Sequence, residues 1–263
     1  SRVIKALTML LAAGSSANGY EIVPIIIDPD EANGDVTRTI DILKNYQHIR
    51  GSLSFTTADS NRFFNTPVKS VTQNFKLGLS DVNGERFEEY IRYSSLDDNN
   101  KALMSLLFSE DNLKANMEVG FKGNPNIGSV VLNQFTNSED FKSFASSFAQ
   151  NDRIFIISSI FGGTGAAGFP LLLKNIRDCS LGNAKLLMDA PIGAITMLPY
   201  FSVAHDESSK IDKTSFISKT KSALGYYEKN INQNNALNAF YYCGDDISKD
   251  YQNNEGSAAQ KNE

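Results

Sequence analysis

An apolar run that leads into a glycine-rich segment constrains the fold of this chain more than any other feature. Residues 154–160 are Ile-Phe-Ile-Ile-Ser-Ser-Ile, and residues 161–170 are Phe-Gly-Gly-Thr-Gly-Ala-Ala-Gly-Phe-Pro. The first run predicts a buried strand, and the apolar residues from Leu171 to Ile176 predict a helix after the glycines. Glycine lets the backbone approach a ligand closely, and the N–H groups at a helix start attract anions. The order of strand, glycine loop and helix therefore predicts an anion-binding site.

Two well-known phosphate loops do not fit this segment. The string G-x-x-x-x-G-K-[ST] does not occur, and the dinucleotide pattern G-x-G-x-x-G is met only by residues 163–168. That pattern normally opens its domain and is followed by an acidic residue about 20 positions later, and neither condition holds here. We keep two alternatives for this segment. One is a nicotinamide dinucleotide site in an oxidoreductase, and the other is a tight turn of purely structural role.

The glycine segment instead resembles the pattern G-G-G-T-G-[TS]-G of the tubulin and FtsZ superfamily of GTPases, which continues A-A-P in the bacterial proteins. The matching residues are Gly162, Gly163, Thr164, Gly165 and Pro170. The departures from the pattern are Phe161, Ala166 and Ala167.

Three more segments resemble the same superfamily and follow its order. Residues 123–128, Gly-Asn-Pro-Asn-Ile-Gly, resemble the loop A-N-P-E-[VI]-G that meets the terminal phosphate in FtsZ. Residues 22–30 resemble the second strand and its acidic loop, and residues 192–201 resemble the strand that ends in T-K-P-F. Four segments in one order make the resemblance more specific than the glycine segment alone.

The resemblance implies a Rossmann-like, doubly wound α/β fold with a mainly parallel sheet. Residues 1–263 would form one nucleotide-binding domain, incomplete at both ends, because the first strand and first glycine loop would precede Ser1. The carboxyl-terminal domain, with its acidic activating loop, would follow Glu263 and be absent. Residues 51–118 have no counterpart in the bacterial proteins, so we expect an insertion there that contacts a protein partner rather than performing chemistry.

The resemblance also implies a site for GTP or GDP. The amides of Gly163, Thr164 and Gly165 would hold the α- and β-phosphates, and residues 123–125 would shape the γ-phosphate pocket. A Mg²⁺ ion would lie between phosphate oxygens and water near Asp28. The full set of expected nucleotide-binding residues is Asp28, Asp30, Gly123, Asn124, Pro125, Gly162, Gly163, Thr164, Gly165, Ala166, Ala167 and Pro199.

Two of these assignments have structural alternatives. Asp28 can instead end a strand and cap the next turn, and Asn124 with Pro125 can form an ordinary turn. The ribose contacts of the family have no match after Pro199, and only Gly244, Asp245 and Asn262 fall near its base-binding positions. A preference for guanine is therefore implied by the resemblance alone.

The implied function is guanine-nucleotide binding, with GTP hydrolysis when the complete protein assembles head to tail with itself. In the family the next subunit supplies the acid that positions the attacking water, so the 263-residue chain alone is expected to bind nucleotide without turnover. The alternative is a nucleotide-regulated or inert scaffold that keeps the fold and lacks hydrolysis. The departures at Phe161, Ala166 and Ala167 and the unmatched ribose contacts favour it.

The amino-acid composition limits the classes of partner and of chemistry that we expect for this chain. The net charge of −5 gives no general nucleic-acid or anionic-membrane surface, and no apolar run reaches the roughly 20 residues that span a bilayer. Cys179 and Cys243 lack metal-ligand spacing, and His48 and His205 lack converging partners. We therefore expect that none of these four residues holds a metal ion or acts as a nucleophile. These features are typical of a cytoplasmic protein.

Periodicity predicts alternating strands and helices. Strands are expected to end at Asp28 and to cover residues 239–243. Helices are expected over residues 2–13, from a cap at Asp35 to Tyr46, over 138–150 with Ser138 as the cap, and over 214–230. Within the insertion, helices are expected over residues 85–93 and 101–108, whereas residues 230–235 and 252–263 are expected to be mostly loop.

Overall fold

The computed structural model describes most of the chain. The described residues are 1–17, 19–30, 33–55, 62–79, 85–117, 121, 124–203, 213–246 and 250–251. They fall into two compact units, the first within Ser1–Gly78 and the second within Leu79–Glu255.

Two helices form most of the first unit. Helix α1 covers Arg2–Ala12 and helix α2 covers Gly34–Gly51. Helix α1 ends because Gly14, at φ +96°, donates to Leu11 while Ser15 donates to Leu10, which is the hydrogen-bond pattern of a glycine-terminated helix. The buried core of the unit contains Leu11, Ile26, Val36, Leu43, Tyr46, Val68 and Phe75.

A parallel sheet organises the second unit. Strand β1 covers Ile154–Ser159 and strand β2 covers Ile192–Met197. Strands β3 (Ser202–Val203) and β5 (Asp250–Tyr251) form a separate short parallel pair, and strand β4 covers Ala239–Cys243. Among the described residues, β1, β2 and β4 form a sheet in that order with both neighbouring pairs parallel. The chain is therefore an α/β protein, as the sequence predicts.

Helices precede and connect these strands. They are α3 (Phe87–Tyr90), α4 (Asp98–Leu107), α5 (Glu110–Leu113), α6 (Pro125–Leu132), α7 (Glu139–Ser147), α8 (Gly163–Arg177), α9 (Ala184–Met188) and α10 (Lys213–Tyr227). A π-helical turn over Glu228–Asn232 continues α10. Residues 51–118 are divided between the two units.

The predicted strand before Asp28 is wrong. Residues 22–27 form only isolated parallel bridges, from Ile22 to Val68 and from Ile26 to Lys76. Pro24 lies between the two bridges and has no N–H group to donate, so a continuous ladder does not form along this segment.

The predicted cap of α2 is also wrong. Asn33, not Asp35, is the N-cap, because its side chain accepts from the N–H groups of Asp35 and Val36. Asp35 is instead buried inside the first turn and pairs with Lys5 and Arg38. The helix continues past Tyr46 to Gly51.

Most remaining helix predictions are confirmed with shifted ends. Ser138 caps α7, whose last residue is Ser147 rather than Gln150. Helices α3 and α4 lie where two helices of the insertion are predicted, and α5 was not predicted. Part of the predicted loop at 230–235 belongs to the π-helical turn, and residues 252–263 lie outside the described residues.

Within the part of the chain that the structure describes, no helix combines the length and apolar character required to cross a membrane.

Candidate functional site

The three parallel strands place their following loops at one edge of the sheet. Ser159 of β1 lies opposite Met197 of β2, which in turn lies opposite Cys243 of β4. The loops that begin after these residues therefore leave the sheet on the same side. In doubly wound folds this carboxyl edge is where ligands bind.

The glycine segment after β1 is not a separate loop, which corrects the expectation of a loop up to Pro170. Gly162 is the N-cap of α8, and Gly163 is its first residue. The first N–H group bonded within the helix belongs to Ala166, which donates to the Gly162 carbonyl at 3.0 Å. Among the described residues, no acceptor receives the N–H groups of Gly163, Thr164 and Gly165. Because Gly162 has no side chain to cap them, the helix begins with three open donors.

Glycine is required at the start of α8 because backbone lies very close to it. A Cβ atom on Gly165 would lie 2.3 Å from the carbonyl oxygen of Ser159. A Cβ atom on Gly163 would lie 2.9 Å from Cβ of Phe121 and 3.1 Å from the backbone nitrogen of Asn124. The absence of side chains therefore brings the start of α8 against β1 and against the residue that precedes α6.

Helix α6 begins beside α8 but is capped. The side chain of Asn124 accepts from the N–H groups of Asn126, at 3.0 Å, and Ile127, at 3.4 Å. Pro125 occupies the first helical position, where the lack of an N–H group costs nothing. The donors at the start of α6 are therefore already used within the helix, in the turn-like arrangement that is the structural alternative for Asn124 and Pro125.

The two alanines of the glycine segment are packed inside the unit. Ala166 is 6% exposed and Ala167 is 3% exposed. A Cβ atom on Gly128 of α6 would lie 3.1 Å from Cβ of Ala167, so the two helices cross at small residues. The Ala167 side chain therefore lies at the contact between α6 and α8.

An aromatic cluster links the loops after β1 and β2. The ring of Phe161 lies 6.4 Å from Tyr200 and 5.3 Å from Phe201, centroid to centroid. Tyr200 and Phe201 follow Pro199, which is half-buried two residues beyond β2. Phe161 therefore packs towards the Pro199 loop, which brings that loop to the same edge as the start of α8.

Asp28 and Asp30 lie in the first unit. Asp28 accepts from the N–H group of Asp30 at 3.0 Å and from the side-chain amide of Asn33 at 3.4 Å. Burial raises the pKa of the Asp28 carboxyl above its ordinary value, against the effect of the Asp30 N–H group. Asp28 thus caps the turn that follows it, as the structural alternative predicts, but it does not end a strand, and it also contacts Asn33, the cap of α2.

The predicted site residues of the second unit come together at the edge of the sheet. They are Asn124, Pro125, Gly162, Gly163, Thr164, Gly165, Ala166, Ala167 and Pro199. Gly123, together with His205 and Asn262, lies outside the described residues. Among the described His, Cys, Asp and Glu residues, no group of three is arranged to hold a metal ion.

Sequence analysis missed two residues that contact this cluster. Phe121 is 3% exposed and lies against Gly163 and Gly128. Tyr227 is 1% exposed, and its hydroxyl donates to the carbonyl oxygen of Ala166 at 3.0 Å. A proline inside α8 indicates that one carbonyl of that helix needs an outside donor, but a partner 61 residues away cannot be identified from spacing.

Comparison with known proteins adds no relative from which the role of this site could be transferred. No family model matches the chain, and neither a curated protein nor a solved structure matches it. The similarity to the tubulin and FtsZ superfamily therefore rests on the four sequence segments alone.

Proposed function

We propose that this chain binds a nucleoside diphosphate or triphosphate at the start of α8. The observation that carries the proposal is the set of three open N–H groups of Gly163, Thr164 and Gly165 at the carboxyl edge of a parallel sheet. A helix start of this kind offers hydrogen-bond donors and a positive dipole end to phosphate oxygens. The Thr164 hydroxyl is half-buried beside these groups and serves as a further donor.

The identity of the nucleotide follows from the resemblance to tubulin and FtsZ. We propose GTP or GDP with Mg²⁺ as the ligand, and hydrolysis of GTP where the complete protein assembles head to tail. A head-to-tail contact between identical subunits builds an open filament. Four segments in the order of that superfamily support this part of the proposal, together with the α/β architecture.

The start of α6 favours a second candidate, a scaffold that keeps the fold without hydrolysis. The Asn124 side chain occupies the donors of Asn126 and Ile127, so α6 has none of its own to offer a terminal phosphate while this cap is in place. Ala166 stands where the family carries a hydroxyl residue, and its buried side chain supplies no donor to a phosphate.

A competition titration tests both candidates. GTP, GDP, ATP and NADH, each with Mg²⁺, compete for the protein against GDP that carries a fluorescent N-methylanthraniloyl group. Displacement by GTP and GDP at concentrations at least about tenfold below those of ATP and NADH supports guanine-nucleotide binding. Preferential displacement by NADH favours the dinucleotide alternative, whereas absence of binding by every nucleotide favours an inert scaffold.

A pair of variants at Gly162 assigns any binding to α8. Gly162→Asp places a carboxylate beside the open donors, so phosphate must compete with it, whereas Gly162→Ala adds the same Cβ atom without charge. That Cβ atom meets only the Ser159 hydroxyl at 3.2 Å in both variants. We expect affinity to fall about 100-fold in Gly162→Asp and less than about fivefold in Gly162→Ala. Equal affinity of the two variants would place the ligand elsewhere.

A further inference from the structure

The interior of α8 contains a proline that leaves one carbonyl without its usual partner. In an α-helix each carbonyl accepts from the N–H group four residues later. Pro170 has no N–H group, so the carbonyl of Ala166 lacks its usual donor four residues later. Because Ala166 is 6% exposed, water does not readily supply the missing hydrogen bond.

Tyr227 provides that donor from another helix. Its hydroxyl lies 3.0 Å from the carbonyl oxygen of Ala166, and its side chain is 1% exposed. The ring is held by Phe169 and Phe240, at centroid distances of 5.2 Å and 6.1 Å. Burial also raises the pKa of the Tyr227 hydroxyl above its ordinary value, so the group keeps its proton at neutral pH.

We propose that Tyr227 is a positioning residue for the start of α8, because its hydroxyl replaces the N–H group that Pro170 lacks. The N–H group of Ala166 closes the first turn of α8 on the carbonyl of Gly162, while the carbonyl of Ala166 is held by Tyr227. Both sides of this residue are thereby fixed next to the three open donors. The consequence for ligand binding rests on the proposed function, whereas the consequence for the geometry of α8 does not.

The position of Tyr227 connects two parts of the second unit. It is the last residue of α10 and directly precedes the π-helical turn, in which Ile231 is buried. A shift of this helix end would remove the hydrogen bond to Ala166 and alter the first turn of α8. The end of α10 is therefore coupled to the candidate phosphate site.

A double-mutant cycle without ligand tests the replacement. Tyr227→Phe removes only the hydroxyl, and Pro170→Ala restores an N–H group to α8. We expect Tyr227→Phe to lower the folding equilibrium constant about tenfold in the parent chain and less than about threefold in the Pro170→Ala background. Tyr226→Phe is the matched control, because Tyr226 is the neighbouring residue and is 51% exposed. Equal losses in the two backgrounds would overturn the proposal.

Amide resonances test the positioning itself, still without ligand. In a ¹⁵N-labelled sample, Tyr227→Phe should shift the signals of Gly163, Thr164 and Gly165, and Pro170→Ala in the same chain should return them towards their parent positions. Unchanged signals in Tyr227→Phe would show that the hydroxyl stabilises the helix without positioning its start, which would also overturn the proposal.

Binding of the fluorescent GDP probe then separates the two proposals. We expect Tyr227→Phe to weaken probe binding about fivefold and Pro170→Ala to restore it. If the parent chain does not bind the probe, the proposed function is wrong, and the resonances of Gly163 to Gly165 still decide the role of Tyr227. If the probe binds equally to the parent and to Tyr227→Phe, the positioning role is wrong while the proposed function stands.

Discussion

Helices α6 and α8 begin in contact with each other, and they begin differently. At α6, Asn124 uses its side chain to accept from two N–H groups, so the helix satisfies its own donors. At α8, Gly162 has no side chain, and the N–H groups of Gly163 to Gly165 are without an acceptor among the described residues. One helix start is closed by the chain, and the other is open to an anion.

Glycine has two roles at the start of α8. Gly163 and Gly165 are needed for packing, since a Cβ atom on either would lie within 3 Å of another residue. The same lack of side chains leaves the donors uncapped. Close packing is therefore sufficient to explain why Gly163 and Gly165 are glycines. It does not explain why three N–H groups lack an acceptor, whereas a bound anion would. Experiments must change these two properties separately.

The largest expected effect concerns packing. Gly165→Ala would bring Cβ to 2.3 Å from the Ser159 carbonyl, and backbone cannot move aside cheaply. We expect the free energy of unfolding to fall by at least about 3 kcal/mol in urea denaturation. Gly225→Ala in α10 is the control, because nothing lies within 4 Å of its Cβ position, and it should gain about 0.5–1 kcal/mol. Equal stability of the two variants would contradict the close packing of α8 on β1.

The second effect concerns Phe161, which the sequence places where the family has glycine beside phosphate. Its ring packs against Tyr200 and Phe201, so Phe161→Gly should cost about 2 kcal/mol of unfolding free energy. Because the ring is directed at this cluster, nucleotide affinity should change less than about threefold. Phe155→Gly, on β1 and 55% exposed, should cost less stability. Clearly tighter nucleotide binding by Phe161→Gly would show instead that the ring obstructs the ligand.

Patterns among neighbouring residues predicted the strands and several helices of the second unit. The apolar runs of β1, β2 and β4 and the Ser138 cap depend on neighbouring residues, so spacing in the sequence identifies them. The order of strand, glycine segment and helix was also predicted, with the helix expected only after the glycines. The spacing of residues did not predict that α8 begins at Gly163 and so includes the glycines. That conformation depends on tertiary packing against Ser159.

Three differences between prediction and structure involve partners distant in the chain. The segment from Ile22 to Ile27 is apolar like a strand, yet Pro24 prevents a ladder with residues 68–76. Asp35 has a typical capping side chain, but Lys5 pairs with it from another helix and Asn33 takes the cap. Tyr227 donates across 61 residues. Rules based on neighbouring residues do not take account of contacts between residues far apart in the sequence.

The third effect exchanges the two helix starts. Asn124→Ala opens α6 and should cost about 1 kcal/mol of unfolding free energy. Gly162→Asn closes α8 and should gain less than about 1 kcal/mol while weakening nucleotide binding, since its amide oxygen occupies donors that phosphate would use. Combined urea and probe-binding titrations measure both properties. If Asn124→Ala improves displacement of the probe by GTP but not by GDP, the cap on α6 competes with the terminal phosphate, as the scaffold candidate requires. Unchanged displacement by GTP would remove that support.

The smallest effect concerns the start of α2, where Asn33 repeats the closed pattern of Asn124 and Asp28 supports the cap. Burial raises the pKa of Asp28, so the folded state binds its proton more tightly than the unfolded state does. Ionisation of this carboxyl therefore lowers stability as pH rises from below the ordinary pKa, 3.8, through the raised value. Asp28→Asn removes this penalty and keeps an oxygen for the Asp30 N–H group. Between about pH 4 and about pH 7, Asp28→Asn should therefore gain stability relative to the parent. We expect this gain in unfolding free energy to be less than about 1 kcal/mol.

Urea denaturation of both proteins across this range measures that difference, in which the titration of all other groups largely cancels. A difference that rises with pH identifies Asp28 as a support of the cap on Asn33, with a carboxylate that burial disfavours. A pH-independent difference would contradict the raised pKa. Repeating the series with Mg²⁺ and GTP separates the two roles assigned to Asp28. A carboxylate that meets a metal-bound water is stabilised by the ion, so only in that case would Mg²⁺ and GTP together stabilise the parent more than Asp28→Asn.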